Sequence, residues 1–447
     1  MKKYFLAIAS FFIYSHISLG QVYPGQMDST FVPVRSHHYD PELTFDFCVN
    51  EPAWSNQAGI HSAFGSTDRL YFRKEVPVNH DNDLSSSYST TVWRGERANA
   101  QILVWSSEAL EQVRVSTQDL RSAEGNIIPK DRITFELVRY VLSNYPYAEK
   151  KAICGESPYK SGFLMPDRFE TLDRFDLPSQ TTRPVWMMVD VPRGTAPGTY
   201  KGKVEVRAKG KAPQLLNLEI VVQNQLLPYP KDWKYRLDLW QNPWAVAWYN
   251  HVEPWSPEHK MLLKQHLKHY ADAGGTYITT YGVHSPWSDN SYMIEGGMIE
   301  WIKKADGTWA FDYKIFDEYV ELAMECGIDE AITLYTPIPW GFRHRYKDEA
   351  TGDYSYINWA PSSEEFKKMW NIFLTDFKFH LEAKSWLDIT YIGINENPME
   401  ETLAAINVVR NHDKCWKITY AGNWHKELDG LLDDYSFLYG EEPTIAE

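Results

Sequence analysis

An amide and a carboxylate follow one another at the end of an apolar run, Thr390-Tyr391-Ile392-Gly393-Ile394-Asn395-Glu396-Asn397-Pro398-Met399-Glu400. Pro398 suits a first helical position, with Asn397 as N-cap and Glu400 as its reciprocal partner. Capping thus accounts for Asn397 and Glu400 and leaves Asn395 and Glu396 at the tip of a strand. Consecutive residues of a regular strand face opposite sides, so both reach one ligand only if the strand ends or twists there. Other strand ends are rich in the same residue types: Trp240, Gln241, Asn242 and Trp244; His284 and Trp287; Tyr335 to Trp340; Asn423, Trp424 and His425. A cleft walled by Trp and dotted with Asn and His suits a sugar. Flat aromatic faces stack on its C–H faces, and polar tips meet its hydroxyls. The candidate binding residues are therefore Trp240, Asn242, His284, Tyr335, Trp340, Asn423 and Trp424. An aromatic content of 15%, with 18 Trp and 28 Tyr, points the same way. No CxxC, HExxH or HxH spacing occurs, so neither a metal site nor a cofactor is expected.

Positioning these residues falls to strands that alternate with amphipathic helices after Trp233, the pattern of a parallel sheet. The strands are expected at Tyr235–Trp240, Tyr277–Val283, Ala331–Tyr335, Tyr391–Ile394 and Lys417–Tyr420, with a sixth at Tyr435–Tyr439. Ser256-Pro257-Glu258 opens a helix with an N-cap, a proline and an acid, and Gly274 stands where it should stop. A second helix is expected from Tyr313 to Cys326, before Gly327. The third begins at a capping-box pattern, Ser362 with Glu365, and carries Phe366, Met369, Trp370, Phe373, Leu374 and Phe377 at helical spacing. Such a series suggests a (β/α)8 TIM-type barrel, although a doubly wound open sheet gives similar local patterns. Six strands against the eight of a closed barrel leave two irregular units or a C-terminally truncated copy, and truncation is favoured.

Before Trp233 the pattern is different. Ala100–Trp105, Val113–Ser116, Ile133–Val141, Val185–Val191 and Leu215–Val222 are short strand-like segments separated by turn residues, the signature of a β-sandwich. The stretch Leu226–Trp233, with two prolines, is the expected linker. The domain division is a segment at 1–20, a sandwich over 21–230 and a barrel over 231–447. Residues 1–20 combine Lys2 and Lys3, an apolar run from Tyr4 to Tyr14, and small residues Ser18 and Gly20 before Gln21. This predicts a cleaved secretory signal and a secreted or periplasmic protein. The run is too short to span a bilayer, which takes roughly 20 apolar residues. No transmembrane segment is expected in the mature chain. A formal net charge of −15 and a pI near 5.4 argue against nucleic acid as partner, since that binding needs clustered Lys and Arg. Cys48, Cys154, Cys326 and Cys415 lie far apart, and no disulfide can be assigned.

The run from Trp233 through Tyr439 resembles the catalytic domain of glycoside hydrolase family 123, the β-N-acetylgalactosaminidases. The resemblance rests on LDLWQNP (Leu237–Pro243), FDEYVELAMECGI (Phe316–Ile328), YTPIPW (Tyr335–Trp340) and TYIGINENPM (Thr390–Met399). WRGERANAQI (Trp93–Ile102) is similar to the opening of that family's N-terminal sandwich. It implies an exo-acting, retaining, substrate-assisted hydrolase, outside the two-carboxylate scheme. In such enzymes the sugar's 2-acetamido oxygen attacks the anomeric carbon. An Asp orients the acetamide N–H, and the next residue, Glu, protonates the leaving oxygen and then activates water. Carried over by position, Glu396 is the acid/base, and the polarising position falls on Asn395. Asn can accept the N–H but cannot place a charge against a cationic intermediate. Family 85 endo-β-N-acetylglucosaminidases resemble this arrangement in using an Asn–Glu pair. The implied partner is a glycan carrying terminal β-linked N-acetylgalactosamine, whether glycolipid, mucin-type or glycosaminoglycan-derived. The competing reading is a non-catalytic carbohydrate-binding protein on a glycosidase fold.

Overall fold

The computed structural model describes residues 51–77, 84–143, 163–171, 173–287 and 296–437. The expected signal at 1–20, Cys48, Cys154 and the last ten residues lie outside these. The chain divides into two compact units between Leu227 and Pro228.

The first unit is built of two sheets. One has the order β1 (His61–Gly65), β3 (Arg97–Ser106), β10 (Thr181–Asp190), β7 (Ile133–Ser143) and β8 (Phe163–Thr171), all antiparallel. The other has the order β2 (Ser87–Arg94), β12 (Gln214–Leu226), β11 (Gly198–Arg207), β4 (Leu110–Thr117) and β9 (Phe175–Leu177), with two short strands, β5 (Leu120–Arg121) and β6 (Ile127–Ile128), paired alongside. Alternate residues supply the core between them: Ala98, Ala100, Ile102 and Val104 of β3, and Leu216, Leu218, Ile220 and Val222 of β12. In β12 that period of two is the mark of a half-buried strand, whereas in β3 Gln101 and Leu103 are buried on the other side as well; two sheets packed over this core make the unit a β-sandwich.

The second unit centres on a parallel sheet of five strands in the order β13 (Tyr277–Tyr281), β16 (Ala331–Tyr335), β19 (Thr390–Ile394), β20 (Lys417–Ala421) and β21 (Asp434–Ser436). Helices α3 (Pro257–Asp272), α4 (Lys314–Glu325), α5 (Glu364–Lys384) and α6 (Met399–His412) separate the strands in sequence. A closed eight-stranded barrel is not what the described residues form. The expected first strand, Tyr235–Trp240, is reduced to one parallel bridge, Leu237 with Gly275. Side chains take the place of the ladder there. The Tyr270 hydroxyl donates to Leu237 O at 2.7 Å and accepts from Leu239 N–H at 3.3 Å, and Gln241 Oε1 accepts from Thr279 N–H at 2.8 Å. Two insertions, one after β13 and one after β16, form a separate four-stranded sheet: β15 (Trp309–Asp312), β14 (Glu300–Lys303), β17 (Arg343–Asp348) and β18 (Tyr354–Asn358).

Register assigns the two faces of the parallel sheet. Ile278, Ile332, Leu334, Ile392, Ile394 and Ile418 alternate onto the helix side and join Phe316, Phe366, Phe373 and Phe377 in one apolar core. The intervening positions, Thr279, Tyr281, Thr333, Tyr335, Tyr391, Gly393, Thr419 and Asp434, form the other face, which is polar and aromatic. Gly393 is fixed by this packing: a Cβ would lie 3.0 Å from both Thr333 and Tyr335.

The helix ends follow local chemistry with two corrections. Ser256 caps α3 by accepting from His259 N–H, and Gly274 turns the chain at φ 90° just beyond it. For α5 the cap is Ser363, which accepts from Phe366 N–H, and not Ser362. Pro398 holds the N-cap position of α6 without a side-chain bond. Asn397, expected to cap, instead donates from Nδ2 to Ile338 O at 3.0 Å, tying the end of β19 to the turn after β16.

Candidate active site

Strand β19 stops at Ile394, and the next two side chains part company. Asn395 is 3% exposed and turns inward, whereas Glu396 is exposed. Glu396 Oε1 is held by the loop after β20, accepting from Asn423 Nδ2 at 2.8 Å and from Asn423 N–H at 3.3 Å. That loop is braced in turn: the Tyr435 hydroxyl donates to Asn423 O and accepts from His425 N–H, both at 2.8 Å. Trp424 lies partly buried in the same turn.

Asn395 has a defined hydrogen-bond polarity. Its Oδ1 accepts from Trp287 Nε1–H at 3.1 Å and from the Glu396 N–H at 3.1 Å. Two donors aimed at one atom fix which end of the amide is oxygen. Nδ2 is sealed from water and has no partner among the described residues. The group this side chain has to spare is therefore a donor.

Aromatic rings make the floor beside it. Trp240, 43% exposed, stacks on Trp287 at 5.2 Å and meets Tyr335 at 4.7 Å. Trp287, 5% exposed, touches Tyr335 and Tyr281, each at 5.4 Å. Trp340, about one-third exposed, belongs to the turn after β16, and its N–H donates to Pro286 O at 2.8 Å, drawing the turns after β16 and β13 together. Trp287 thus links Trp240, Tyr335 and Asn395 in one cluster whose exposed ring is Trp240, and Glu396, held by Asn423, follows Asn395 in the chain.

Two candidates sit differently. Asn242 caps α2 (Pro243–Asn250), and its Oδ1 accepts from Ala245 N–H at 3.2 Å, so that oxygen is committed to the helix. His284 has a sealed Nδ1 without a partner among the described residues. Burial, followed by the charges of Arg345 and Arg343, lowers its pKa to about 4, and it is a neutral imidazole at pH 7.

Trp287, Tyr281 and Asp238 were absent from the sequence-derived candidates. The available signal was alternation. Asp238 precedes Trp240 by two within the strand expected at Tyr235–Trp240, where alternation would set both side chains on one side. Among the described residues no group of three or more His, Cys, Asp or Glu is set to hold a metal ion, and Cys326 and Cys415 are free thiols.

A carboxylate and stacked aromatic rings gathered at the C-terminal ends of parallel strands is the layout of a carbohydrate-cleaving hydrolase. Residues 240–447 match the glycoside hydrolase 123 catalytic domain, and residues 64–208 match the glycoside hydrolase 123 N-terminal domain. The chain belongs to glycoside hydrolase family 123. It is similar to a solved family 123 glycoside hydrolase from Clostridium perfringens, described for glycolipid glycan hydrolysis, at 25% identity and a TM-score of 0.75, covering 86% of this chain and 68% of that one. A family 39 glycoside hydrolase from Bacteroides cellulosilyticus matches at 13% identity and a TM-score of 0.23 over 69% of this chain and 48% of that one, too weakly to carry an argument. No curated protein matches the chain.

Proposed function

We propose that this glycoside hydrolase is an exported, exo-acting enzyme that releases terminal β-linked N-acetylgalactosamine with retention, the 2-acetamido group serving as nucleophile. The observation that carries the reading is Glu396. It is an exposed carboxylate at the end of β19, anchored by two bonds from Asn423, at the rim of the Trp240–Trp287–Tyr335 floor. A carboxyl fixed at the rim of a sugar cleft can protonate a leaving oxygen and then take a proton from water. The similarity to an enzyme described for glycolipid glycan hydrolysis makes a glycolipid glycan the first substrate class to try.

One observation favours a second reading. Substrate assistance needs an acceptor for the acetamide N–H, and Asn395 Oδ1 already accepts two hydrogen bonds. A site whose amide offers only a donor fits a carbohydrate-binding protein that has lost turnover.

Hydrolysis of 4-nitrophenyl β-N-acetylgalactosaminide, beside the N-acetylglucosaminide and the galactoside without the acetamido group, separates the two. Turnover confined to the acetamido sugars, lost by at least about 100-fold in Glu396→Gln, is the expected result. A folded protein that turns over none of them, or a Glu396→Gln variant with most of its rate, would refute the enzyme reading as drawn.

A further inference from the structure

Among the described residues, the sealed polar atoms without hydrogen-bond partners include Thr279 Oγ1 and Thr333 Oγ1 of the parallel sheet, Asp238 Oδ1 and Asn395 Nδ2. Buried polar groups in folded proteins are nearly always paired, and each exception calls for an explanation. Asp238 is the exception of greatest consequence because it is a carboxylate. It forms no ion pair or hydrogen bond among the described residues. Arg236, two positions earlier, is directed at Asp434, with 4.0 Å between Nη1 and Oδ1. Only Oδ1 of Asp238 is sealed; its other oxygen is not.

Its surroundings are those of the sugar cleft. Asp238 precedes the exposed Trp240, which lies against Tyr335 at 4.7 Å. Burial first, then the charges of Asp238 and Asp434, hold the Tyr335 phenol well above its ordinary range. The titratable and charged groups around Asp238 are Asp434, Tyr335, Tyr270 and Arg236. None supplies a bound proton donor. Burial and then the Asp434 charge raise the Asp238 carboxyl to about 6. Keeping such a group ionised at neutral pH therefore works against the folded state, and a residue retained at that cost is characteristic of a functional site.

We propose that Asp238 is a substrate-binding residue whose carboxylate accepts a hydrogen bond from a hydroxyl of a sugar seated against the exposed Trp240 ring. The assignment rests on the cleft being a glycoside site and is independent of whether Glu396 transfers protons. It adds a charged acceptor to a cleft whose other free inward group, Asn395 Nδ2, is a donor. A sugar hydroxyl can serve as either partner.

Binding of N-acetylgalactosamine and galactose to the full chain, followed by calorimetry, tests it together with thermal melts. Asp238→Asn and Asp238→Ala should each lose about tenfold or more in affinity, the effect of one lost charge-assisted bond. Asp238→Asn should also melt about 2–4 °C higher at pH 7.5, with no gain at pH 4, where the native carboxyl is protonated. A purely structural Asp238 gives the opposite sign, with lower stability in both variants. Unchanged affinity in both variants, a destabilised Asp238→Asn, or no binding of either sugar by the native chain would overturn the proposal. Sugar binding without hydrolysis would sink the acid/base role of Glu396 and leave Asp238 standing. Hydrolysis undisturbed by either Asp238 variant would do the reverse.

Discussion

At the scale of single residues, the site turns on one atom of Asn395. An Asp there would leave one oxygen on the Trp287 and Glu396 N–H groups and set the other where Nδ2 now stands. Charged hydrogen bonds contribute about 1.5–3 kcal/mol against roughly 0.5–1.5 for neutral ones. The gain is on the order of tenfold in rate. Asn395→Asp is accordingly expected to hydrolyse the aryl N-acetylgalactosaminide about tenfold faster than the native chain. A fall in kcat would show that the donor is the selected feature and that the charge logic implied by the family resemblance does not transfer. The sequence placed Asn395 and Glu396 together at a strand tip. Alternation set them on opposite sides unless the strand ended or twisted there, and which of these holds depends on where β19 loses its partners.

At the scale of elements, two interactions hold the frame behind the site. Ser363 Oγ accepts from Phe366 N–H at 3.2 Å at the start of the 21-residue helix α5. Ser363→Ala should cost about 1 kcal/mol in urea unfolding, and Ser362→Ala should cost much less. His344 of β17 is enclosed by Trp301, Trp359 and Trp370. Its Nε2 accepts from Trp370 Nε1–H at 3.2 Å, which leaves Nδ1–H to donate to Phe342 O at 3.1 Å. Burial lowers its pKa to about 4 from 6.5, so between these values the unfolded chain binds the extra proton. Its contribution is complete above pH 6.5 and is lost as pH falls towards 4, to a limit of roughly 3 kcal/mol. His284 acts in the same direction and Asp238 in the opposite one. Stability measured at pH 7.5 and pH 5 should differ less in His344→Phe than in the native chain. An unchanged gap would mean that this ring does not stay neutral.

For the molecule as a whole, a formal net charge of −15 bears on its partners. Several exposed cations are paired with nearby acids, as in Arg97–Asp190, Lys209–Glu111 and Lys264–Glu325. No retention on a heparin column at about 50 mM salt is therefore expected, since polyanion binding needs clustered unpaired cations. Retention would reveal a basic face that formal charge conceals. The two units are each organised around their own apolar core, one between the sandwich sheets and one between the parallel sheet and its helices.

Periodicity alone located most of this architecture. The short apolar runs over Ala100–Trp105 and Leu215–Val222, bounded by turn residues, and the helical spacing from Phe366 to Phe377, are properties of neighbours along the chain. Side-chain direction follows from them directly. The strands at Ala331–Tyr335 and Lys417–Tyr420, the Ser256 cap and the Gly274 stop were legible for the same reason. What the sequence could not determine were pairings between residues far apart. Gln241 and Tyr270 replace the ladder of the first strand, Trp287 fixes the Asn395 amide from 108 positions away, and Asn397 ties to Ile338 instead of capping α6. Each competes with a local alternative of similar strength, and only the folded chain, by bringing the distant partner within about 3 Å, decides which hydrogen bond is made.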